Sequence, residues 1–187
     1  MARTECSKLK VRLLYWLAKI WYYLSGRNQE IMNAFYRKQG VKIGERCLLC
    51  TSPLTSESFL IEIGDDVVIS TDVTFVTHDH SIMKLIPDGP NLFGKIVIGN
   101  NCFIGERTIL MYGVELAENI IVASGSVVTK SFPQSNVIIG GNPAKIIGTW
   151  ESFRDKNMGK AVSAKKIRDL VKTDPDILIK RGNYVQK

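Results

Sequence analysis

The sequence is poor in the residues that most often hold metal ions or form disulfide bonds. Its 187 residues include only two histidines, His78 and His80, which are two positions apart. A zinc site with three histidine ligands would therefore need replacement ligands. The four cysteines do not have the spacing of a secreted disulfide framework. Cys47 and Cys50 form a Cys-x-x-Cys pair without a second pair, so we expect neither a zinc site nor a redox motif there.

Long apolar runs are also missing. The most apolar segment, residues 8–24, is interrupted by Lys19 and is shorter than the ~20 apolar residues that a membrane-spanning helix needs. Its polar start and the lack of a small-residue cleavage site argue against a secretory signal peptide. Hydrophobic residues nevertheless make up 45% of the chain, which is enough for one domain with a continuous core. We expect a cytoplasmic protein.

What the sequence does contain is a repeat. An apolar residue recurs at every sixth position, which fits neither an α-helix, with about 3.6 residues per turn, nor an ordinary strand, with a period of two. This place in the repeat, which we call the inner position, is occupied by Ile63, Ile69, Phe75, Ile98, Ile104, Leu110, Leu116, Val122 and Val128. Each repeat has room for one short strand and one corner, so the chain is expected to coil and stack its own turns.

Residues around the inner position support a coil. The fourth residue after it is mostly small or apolar, as at Val67, Cys102 and Ser126. The residue directly after it is small, as at Gly105, which we expect to let the backbone turn sharply. Polar pairs such as Asp65-Asp66 then supply corner residues that tolerate turn geometry.

Two further segments carry a resemblance to a known family. The run Ala123-Ser124-Gly125-Ser126-Val127-Val128-Thr129-Lys130 is followed by Gly140-Gly141-Asn142-Pro143-Ala144-Lys145. Together with the repeat, these segments resemble the hexapeptide-repeat acyltransferases, in particular the maltose, galactoside, xenobiotic and bacterial polysaccharide O-acetyltransferases. The resemblance covers roughly residues 41–149.

The resemblance implies a fold and an assembly. It predicts an all-β core, a left-handed parallel β-helix over residues 41–149, with helical flanks over residues 1–40 and 150–187 that cap the coil or pack on it. Left-handedness rests on the resemblance alone, because parallel crossovers are normally right-handed. The family also implies a homotrimer with active sites between subunits, and a loop, here residues 79–95, that reaches towards the neighbouring subunit.

Both histidines lie where the repeat is interrupted, between Phe75 and Ile98. Acyl transfer from a thioester to a hydroxyl needs a base close to the hydroxyl, and histidine has a suitable pKa. The family's catalytic histidine shortly follows an inner position, where a loop leaves the coil, and His78 matches that place. The resemblance therefore implies His78 as the general base, and a loop histidine without a catalytic role is the alternative.

The same resemblance implies acetyl-CoA as the donor, bound in a groove between subunits, and no required metal. The matching positions are Ser124, Thr129, Lys130 and Lys145, with Phe103 where relatives often carry an aromatic residue against the pantetheine arm. The two lysines would supply point charges for the phosphates of coenzyme A. Their alternative role is that of ordinary exposed lysines.

The loop is expected to select the acceptor. Its segment 87–91 is rich in turn-forming residues and should protrude, and Asp79, His80 and Asp88 are candidate acceptor contacts. The chain departs from the galactoside and maltose enzymes: residues 50–56 contain no asparagine, and residues 1–40 do not match their early helical module. Both departures point away from free disaccharides and towards another hydroxyl acceptor, and an amine acceptor stays open.

Residues 8–24 predict a helix rich in aromatic and basic residues, with Leu13, Leu17, Ile20 and Leu24 at helical spacing. Such a helix can lie in the interface at the inner face of the membrane, where aromatic and basic side chains favour lipid headgroups. Alternatively, it packs on the coil or on a neighbouring subunit. The membrane alternative would favour a lipid-linked glycan as the acceptor.

Charge and resemblance together narrow the function. The net charge of +7 suits anionic ligands such as coenzyme A, a nucleotide sugar or an acidic polysaccharide, whereas no recognition motif points to nucleic acid. The main hypothesis is an acetyl-CoA-dependent O-acetyltransferase that modifies a sugar hydroxyl in bacterial surface-polysaccharide (capsule or O-antigen) biosynthesis. An antibiotic-modifying xenobiotic acetyltransferase and a non-catalytic β-helix scaffold are the alternatives. A γ-carbonic anhydrase, which shares the fold, would need three histidine ligands.

Overall fold

The computed structural model describes residues 2–86, 89 and 91–174. The chain divides into two compact units, Met1–Gly148 and Thr149–Lys187. The first unit contains helices α1 (Ala2–Leu24) and α2 (Gln29–Lys38) and the stacked strands. The second unit contains helices α3 (Trp150–Asn157) and α4 (Ile167–Thr173).

Short strands follow one another after α2, and most of them stack into three sheets. The strands are β1 (Lys42–Ile43), β2 (Leu48–Leu49), β3 (Ile61–Ile63), β4 (Val68–Ile69), β5 (Thr74–Phe75), β6 (His78–Asp79), β7 (Leu92–Phe93), β8 (Ile96–Ile98), β9 (Phe103–Ile104), β10 (Ile109–Leu110), β11 (Glu115–Leu116), β12 (Ile120–Val122), β13 (Val127–Val128), β14 (Val137–Gly141) and β15 (Ala144–Thr149). Sheet 1 orders β1-β3-β8-β11, sheet 2 orders β15-β14-β12-β9-β4-β2, and sheet 3 orders β13-β10-β5. Strands of successive coils pair in parallel, so the chain winds as a three-sided parallel β-helix.

The inner positions of the repeat form the core, which confirms the prediction from the six-residue spacing. Ile69, Ile104 and Leu110 are completely buried, and every other inner position is buried as well. Except after Phe75, the fourth residue after each inner position also points inward: Thr108 and Ser126 are buried, and their hydroxyls donate to backbone carbonyls of their own or the neighbouring coil. The polar hydroxyls thus fit inside an apolar column because each has a partner.

The corners of the coils are formed by the third residue after an inner position, which adopts a left-handed backbone conformation. The φ angles of these residues lie between 54° and 78°. Asparagine, aspartate and glycine tolerate this conformation best, which explains most of the residues found there. They are Arg46, Asp66, Asp72, Asn101, Arg107, Gly113, Asn119 and Gly125.

The small residue directly after the inner position has a different role from the one that we expected. It does not make the turn, because the left-handed residue comes two positions later. Instead, the neighbouring coil leaves no room for a side chain: a Cβ on Gly99 would lie 2.6 Å from the carbonyl carbon of Ala117, and one on Gly105 would lie 2.5 Å from the amide nitrogen of Ser124. Close stacking of the coils therefore selects the small residue.

The first coil is incomplete, and this incompleteness shapes the site. It supplies β1 to sheet 1 and β2 to sheet 2, but no strand to sheet 3. Instead, residues 50–57 take an irregular path, followed by a short 3₁₀ helix at Ser58–Leu60. The following coil, which begins with β3, supplies a strand to all three sheets.

Helix α2 packs on the first coil. Asn28 caps the helix by accepting a hydrogen bond from the Glu30 amide, and Met32, Phe35 and Tyr36 join the core. The buried Asn33 side chain donates to the carbonyl oxygen of Cys47 at 2.9 Å. The open end of a β-helix exposes backbone and apolar surface, and α2 covers part of it.

The second unit begins with a capped helix. The side chain of Thr149 accepts from the backbone of Ser152, and the Ser152 side chain reaches back, so α3 begins with a capping box. A 3₁₀ helix at Met158–Lys160 separates α3 from α4. The predicted C-terminal flank, residues 150–187, is thus helical in these segments, and its last residues, 175–187, lie outside the described part of the chain.

Candidate active site

The interruption of the repeat begins where the chain leaves sheet 3. After β5, the buried Thr77 is followed by β6, which pairs in antiparallel fashion with β7 and so forms a two-stranded ribbon. His78 lies opposite Phe93 in this ribbon, and their ring centroids are 5.8 Å apart. The loop expected from residues 79–95 thus includes a strand pair, with His78 at its base.

His78 contacts a carboxylate that the sequence did not single out. Its Nδ1 lies 2.8 Å from Oε2 of Glu57, and the two side chains are 28% and 18% exposed. An ionised carboxylate can only accept, so the geometry assigns the proton to Nδ1 and leaves the Nε2 lone pair available. A carboxylate on one imidazole nitrogen orients the ring and stabilises its protonated form. This arrangement suits a general base.

Glu57 is itself held in place from the coil. The buried Thr77 hydroxyl donates to Oε2 of Glu57 at 2.8 Å and lies 3.4 Å from the Thr55 hydroxyl. Burial acts to raise the pKa of the Glu57 carboxyl, but the hydrogen bonds from Thr77 and His78 outweigh it and lower that pKa below its ordinary value. Glu57 therefore stays ionised beside the imidazole at neutral pH.

The neighbouring polar residues are arranged around Asp79. The His80 ring stands edge-on to His78, with centroids 4.7 Å apart. Asp79 accepts from the Ser81 amide at 2.7 Å, and the Tyr112 hydroxyl lies 3.4 Å from its other carboxylate oxygen. The bonds from Ser81 lower the pKa of Asp79, whereas burial and the Asp79 charge raise the pKa of Tyr112. Tyr112 was not predicted from the sequence.

Two of the predicted donor residues lie at the same corner as His78. Phe75, Leu110 and Val128 are in register across sheet 3, so the segments that follow β5, β10 and β13 stack at one end of that sheet. These segments contain His78, Tyr112 and the exposed pair Thr129 and Lys130, respectively. Neighbouring strands are about 4.8 Å apart, which places the pair two strands from the histidine segment. The Lys130 ammonium also lies 5.6 Å from the ring centroid of Phe132.

The other predicted donor residues belong to a different side of the coil. Phe103 lies on β9 and Lys145 on β15, both in sheet 2, and Ser124 lies two residues after the end of the sheet 2 strand β12. All three side chains are exposed. One chain therefore does not bring them next to His78. The remaining acceptor candidate, Asp88, lies outside the described residues.

The thiols and carboxylates of the described residues do not suggest a metal centre. No group of three histidine, cysteine or acidic side chains among them could hold a metal ion. Cys47 and Cys102 are buried, and their thiols lie 3.0 Å and 3.2 Å from backbone carbonyl oxygens of the adjacent coil. Burial raises the pKa of both thiols, that of Cys102 to about 11. They are core residues.

The chain is similar to several known proteins. A family model described as "Hexapeptide repeat of succinyl-transferase" matches residues 95–130. Protein CapG of Staphylococcus aureus is 44% identical over 137 residues, covering 70% of this chain and 78% of that protein. Galactoside O-acetyltransferase of Escherichia coli strain K12 is 29% identical over 133 residues, which is 71% of this chain but only 59% of that enzyme.

A solved structure supports the same conclusion about the fold. The hexapeptide-repeat-containing acetyltransferase of Vibrio cholerae O1 biovar eltor, determined in complex with acetyl-CoA, aligns with 75% of this chain and 87% of its own. The TM-score is 0.54 at 20% sequence identity, so the likeness concerns the fold. With the repeat, the stacked coils and the extensive match to CapG taken together, the chain belongs to the hexapeptide-repeat family of acyltransferases.

Proposed function

We propose that this acyltransferase moves an acetyl group from acetyl-CoA to a hydroxyl group of a sugar, with His78 as the general base. The contact between His78 and Glu57 carries the proposal, because it leaves a basic nitrogen at the point where the loop leaves the coil. Two comparisons support the substrates: one relative is a galactoside O-acetyltransferase, and the similar Vibrio structure contains acetyl-CoA.

The chemistry follows from the orientation of the imidazole. Nε2 of His78 takes the proton of the acceptor hydroxyl as its oxygen attacks the thioester carbonyl carbon. Nδ1–H remains bonded to Glu57, whose negative charge stabilises the imidazolium. When the carbon–sulfur bond breaks, the imidazolium returns the proton to the departing thiolate. The products are the acetyl ester and coenzyme A with a free thiol.

The donor site is proposed to lie between two copies of the chain in a homotrimer of left-handed coils. Within one chain, Phe103 and Lys145 lie in sheet 2 and Ser124 lies in the turn after its strand β12, whereas His78, Thr129 and Lys130 lie at the end of sheet 3. In the trimer, the first set of residues from one subunit would face the second set from its neighbour. Exposed lysines then meet the phosphates, and the exposed Phe103 ring meets the pantetheine arm.

The acceptor is proposed to be a sugar of a bacterial surface polysaccharide or of its precursor, modified in the cytoplasm. Asp79 and His80 lie beside the base and would contact the acceptor next to the reacting hydroxyl. Tyr112 joins them because its hydroxyl lies near Asp79. Residues 50–56 are irregular and contain no asparagine, unlike the corresponding segment expected in an enzyme for free disaccharides.

Titration calorimetry with acetyl-CoA, followed by an acceptor screen, tests this function. The intact chain should bind about one acetyl-CoA per subunit, and Lys130→Ala/Lys145→Ala should bind several-fold more weakly because two phosphate contacts are lost. Lys165→Ala/Lys166→Ala, with the same charge loss in the second unit, is the control. Thiol release with nucleotide sugars or polysaccharide fragments should then depend on the acceptor. Absence of binding by the intact chain would favour a scaffold, and turnover only with antibiotics would favour the xenobiotic enzyme.

A further inference from the structure

Helix α1 has two apolar faces, and the core of the first unit uses only one of them. Val11, Tyr15, Ala18 and Tyr22 lie at helical spacing and pack against the core. Tyr15 meets Phe35 of α2 edge to face, with ring centroids 5.8 Å apart. Because these contacts fix one side of the helix, the other side faces away from the core.

The other side exposes large apolar residues. Trp16 and Trp21 are 61% and 63% exposed, and Leu17 and Ile20 are each 53% exposed. At about 100° per residue, most of these side chains fall within roughly a third of the helix circumference, opposite the packed stripe. This surface, the outer face, consists of Leu9, Leu13, Trp16, Leu17, Ile20, Tyr23 and Leu24.

Basic residues border the outer face on both edges. By the same helical spacing, Arg12 and Lys19 lie along one edge and Lys10 lies along the other. Between Lys8 and Asn28 the sequence contains no aspartate or glutamate, so the charge of this segment is positive only. A second copy of the helix would bring the same positive charges and be repelled, whereas an anionic surface would be attracted.

We propose that the outer face of α1 binds the surface of a membrane that contains anionic phospholipid. The apolar side chains enter the boundary between headgroups and acyl chains, and the bordering cations reach the lipid phosphates. Trp16 and Tyr23 suit this depth because each ring combines an apolar body with a polar atom. The helix lies along the surface, since none of the described helices is long and apolar enough to cross a bilayer.

Membrane binding would hold the coil, and with it the His78 site, at the bilayer surface. The proposal is independent of acetyl transfer, because α1 contributes no residue to the base, donor or acceptor sites. Failure of membrane binding would leave turnover of a soluble acceptor unchanged, and loss of His78 would leave membrane binding unchanged. The two proposals can therefore fail separately.

Flotation of the full chain with lipid vesicles tests whether the apolar side chains of the outer face contribute to membrane binding. The protein should float with vesicles of phosphatidylcholine and phosphatidylglycerol, and much less with phosphatidylcholine alone. Trp16→Gln/Leu17→Gln/Ile20→Gln should weaken binding roughly a hundredfold, because three buried apolar side chains are lost. The control variant Phe153→Gln/Met158→Gln/Val162→Gln removes three exposed apolar residues of the second unit and should float like the unmodified chain. Circular dichroism of each variant verifies folding.

A second pair of variants tests the charges. Lys10→Gln/Arg12→Gln should weaken binding to anionic vesicles about tenfold or more, because each cation near the lipid surface contributes attraction. Lys156→Gln/Lys160→Gln loses the same net charge far along the sequence and should bind normally. Raising the salt concentration should reduce the difference between the two variants, since exposed charges are screened.

Tryptophan fluorescence reports whether the outer face itself enters the lipid. Emission from the unmodified chain should shift to shorter wavelength with anionic vesicles, and Trp16→Phe/Trp21→Phe, which keeps Trp150, should not shift. The proposal is overturned if the unmodified chain does not float with anionic vesicles at low salt. It is also overturned if the triple glutamine variant floats normally but sediments as a smaller assembly, because a second copy would then cover the outer face.

Discussion

The regular coils between Ile96 and Val128 and the interruption between Thr77 and Phe93 use their residues differently. In the regular coils, inner residues such as Ile104 and Leu110 are fully buried, and corner side chains serve the stacking. Asn100, for example, accepts from the Asp65 amide at 2.9 Å, and Asn101 donates to Asn119 at 2.7 Å. The polar groups of these coils are thus used to join one coil to the next.

In the interruption, polar groups are gathered in one place around His78. His78, His80 and Asp79 share a short ribbon, and the incomplete first coil adds Glu57. The inner and corner positions of the regular repeat thus have structural tasks. Catalytic groups require a departure from the repeat, and here two departures, residues 50–57 and 77–93, meet.

The largest expected effect is a loss of activity caused by a change in the interruption. His78→Ala should lower the rate of acetyl transfer by about 10²–10⁴-fold, which is the usual contribution of a positioned base. Calorimetric binding of acetyl-CoA and the thermal unfolding temperature should stay close to those of the unmodified chain. His80→Ala is the matched control and should lose far less. Equal activity of His78→Ala and the unmodified chain would show that His78 is not the general base.

The next effect is on stability, which should depend more on the regular coils than on the ribbon. Leu110→Ala removes a fully buried side chain between coils and should lower the free energy of unfolding by about 2–5 kcal/mol. Leu92→Ala makes the same change in the ribbon, where the side chain is 42% exposed, and should cost less than about 1 kcal/mol. Urea denaturation of both variants measures the difference. Similar losses would mean that the ribbon is as much a part of the core as the coils are.

The sequence predicted the regular coils well because the rule that forms them is local. Each inner position needs only an apolar residue six places after the last, so Ile98 to Val128 could be read directly. His78 could be proposed because the resemblance to the family implies a catalytic histidine shortly after an inner position, and His78 closely follows Phe75. Glu57 could not be proposed, because it lies 21 positions from His78 in sequence. The irregular segment that brings the two residues together has no repeat from which the contact could be predicted. The one signal for Glu57 was its place directly after that segment. Tyr112 lies within the regular coils, so nothing local marked it.

A smaller effect should come from the residue that orients the base. Glu57→Gln keeps the shape of the side chain but removes its charge, and the amide can donate its proton to Nδ1 and favour the wrong tautomer of His78. The charge-assisted bond contributes about 1.5–3 kcal/mol, so the rate should fall roughly ten- to hundredfold. KM for acetyl-CoA should change little, which distinguishes this role from donor binding. Glu57→Asp should recover part of the rate.

The smallest expected effect is the dependence of stability on pH. Because the folded chain holds the pKa of Glu57 below its ordinary value of 4.5, ionised Glu57 stabilises the fold above that pH, and this contribution is lost as the pH falls through the lowered pKa. Glu57→Gln should therefore be less stable than the unmodified chain at pH 6, and the two should converge below pH 4.5. Urea denaturation of both proteins across this range measures the convergence. Leu92→Ala provides the contrast, because its smaller loss involves no proton and should stay constant with pH. A constant difference for Glu57→Gln as well would mean that Thr77 and His78 do not stabilise the ionised carboxylate of Glu57. The two departures from the repeat would then lie side by side without this stabilising contact.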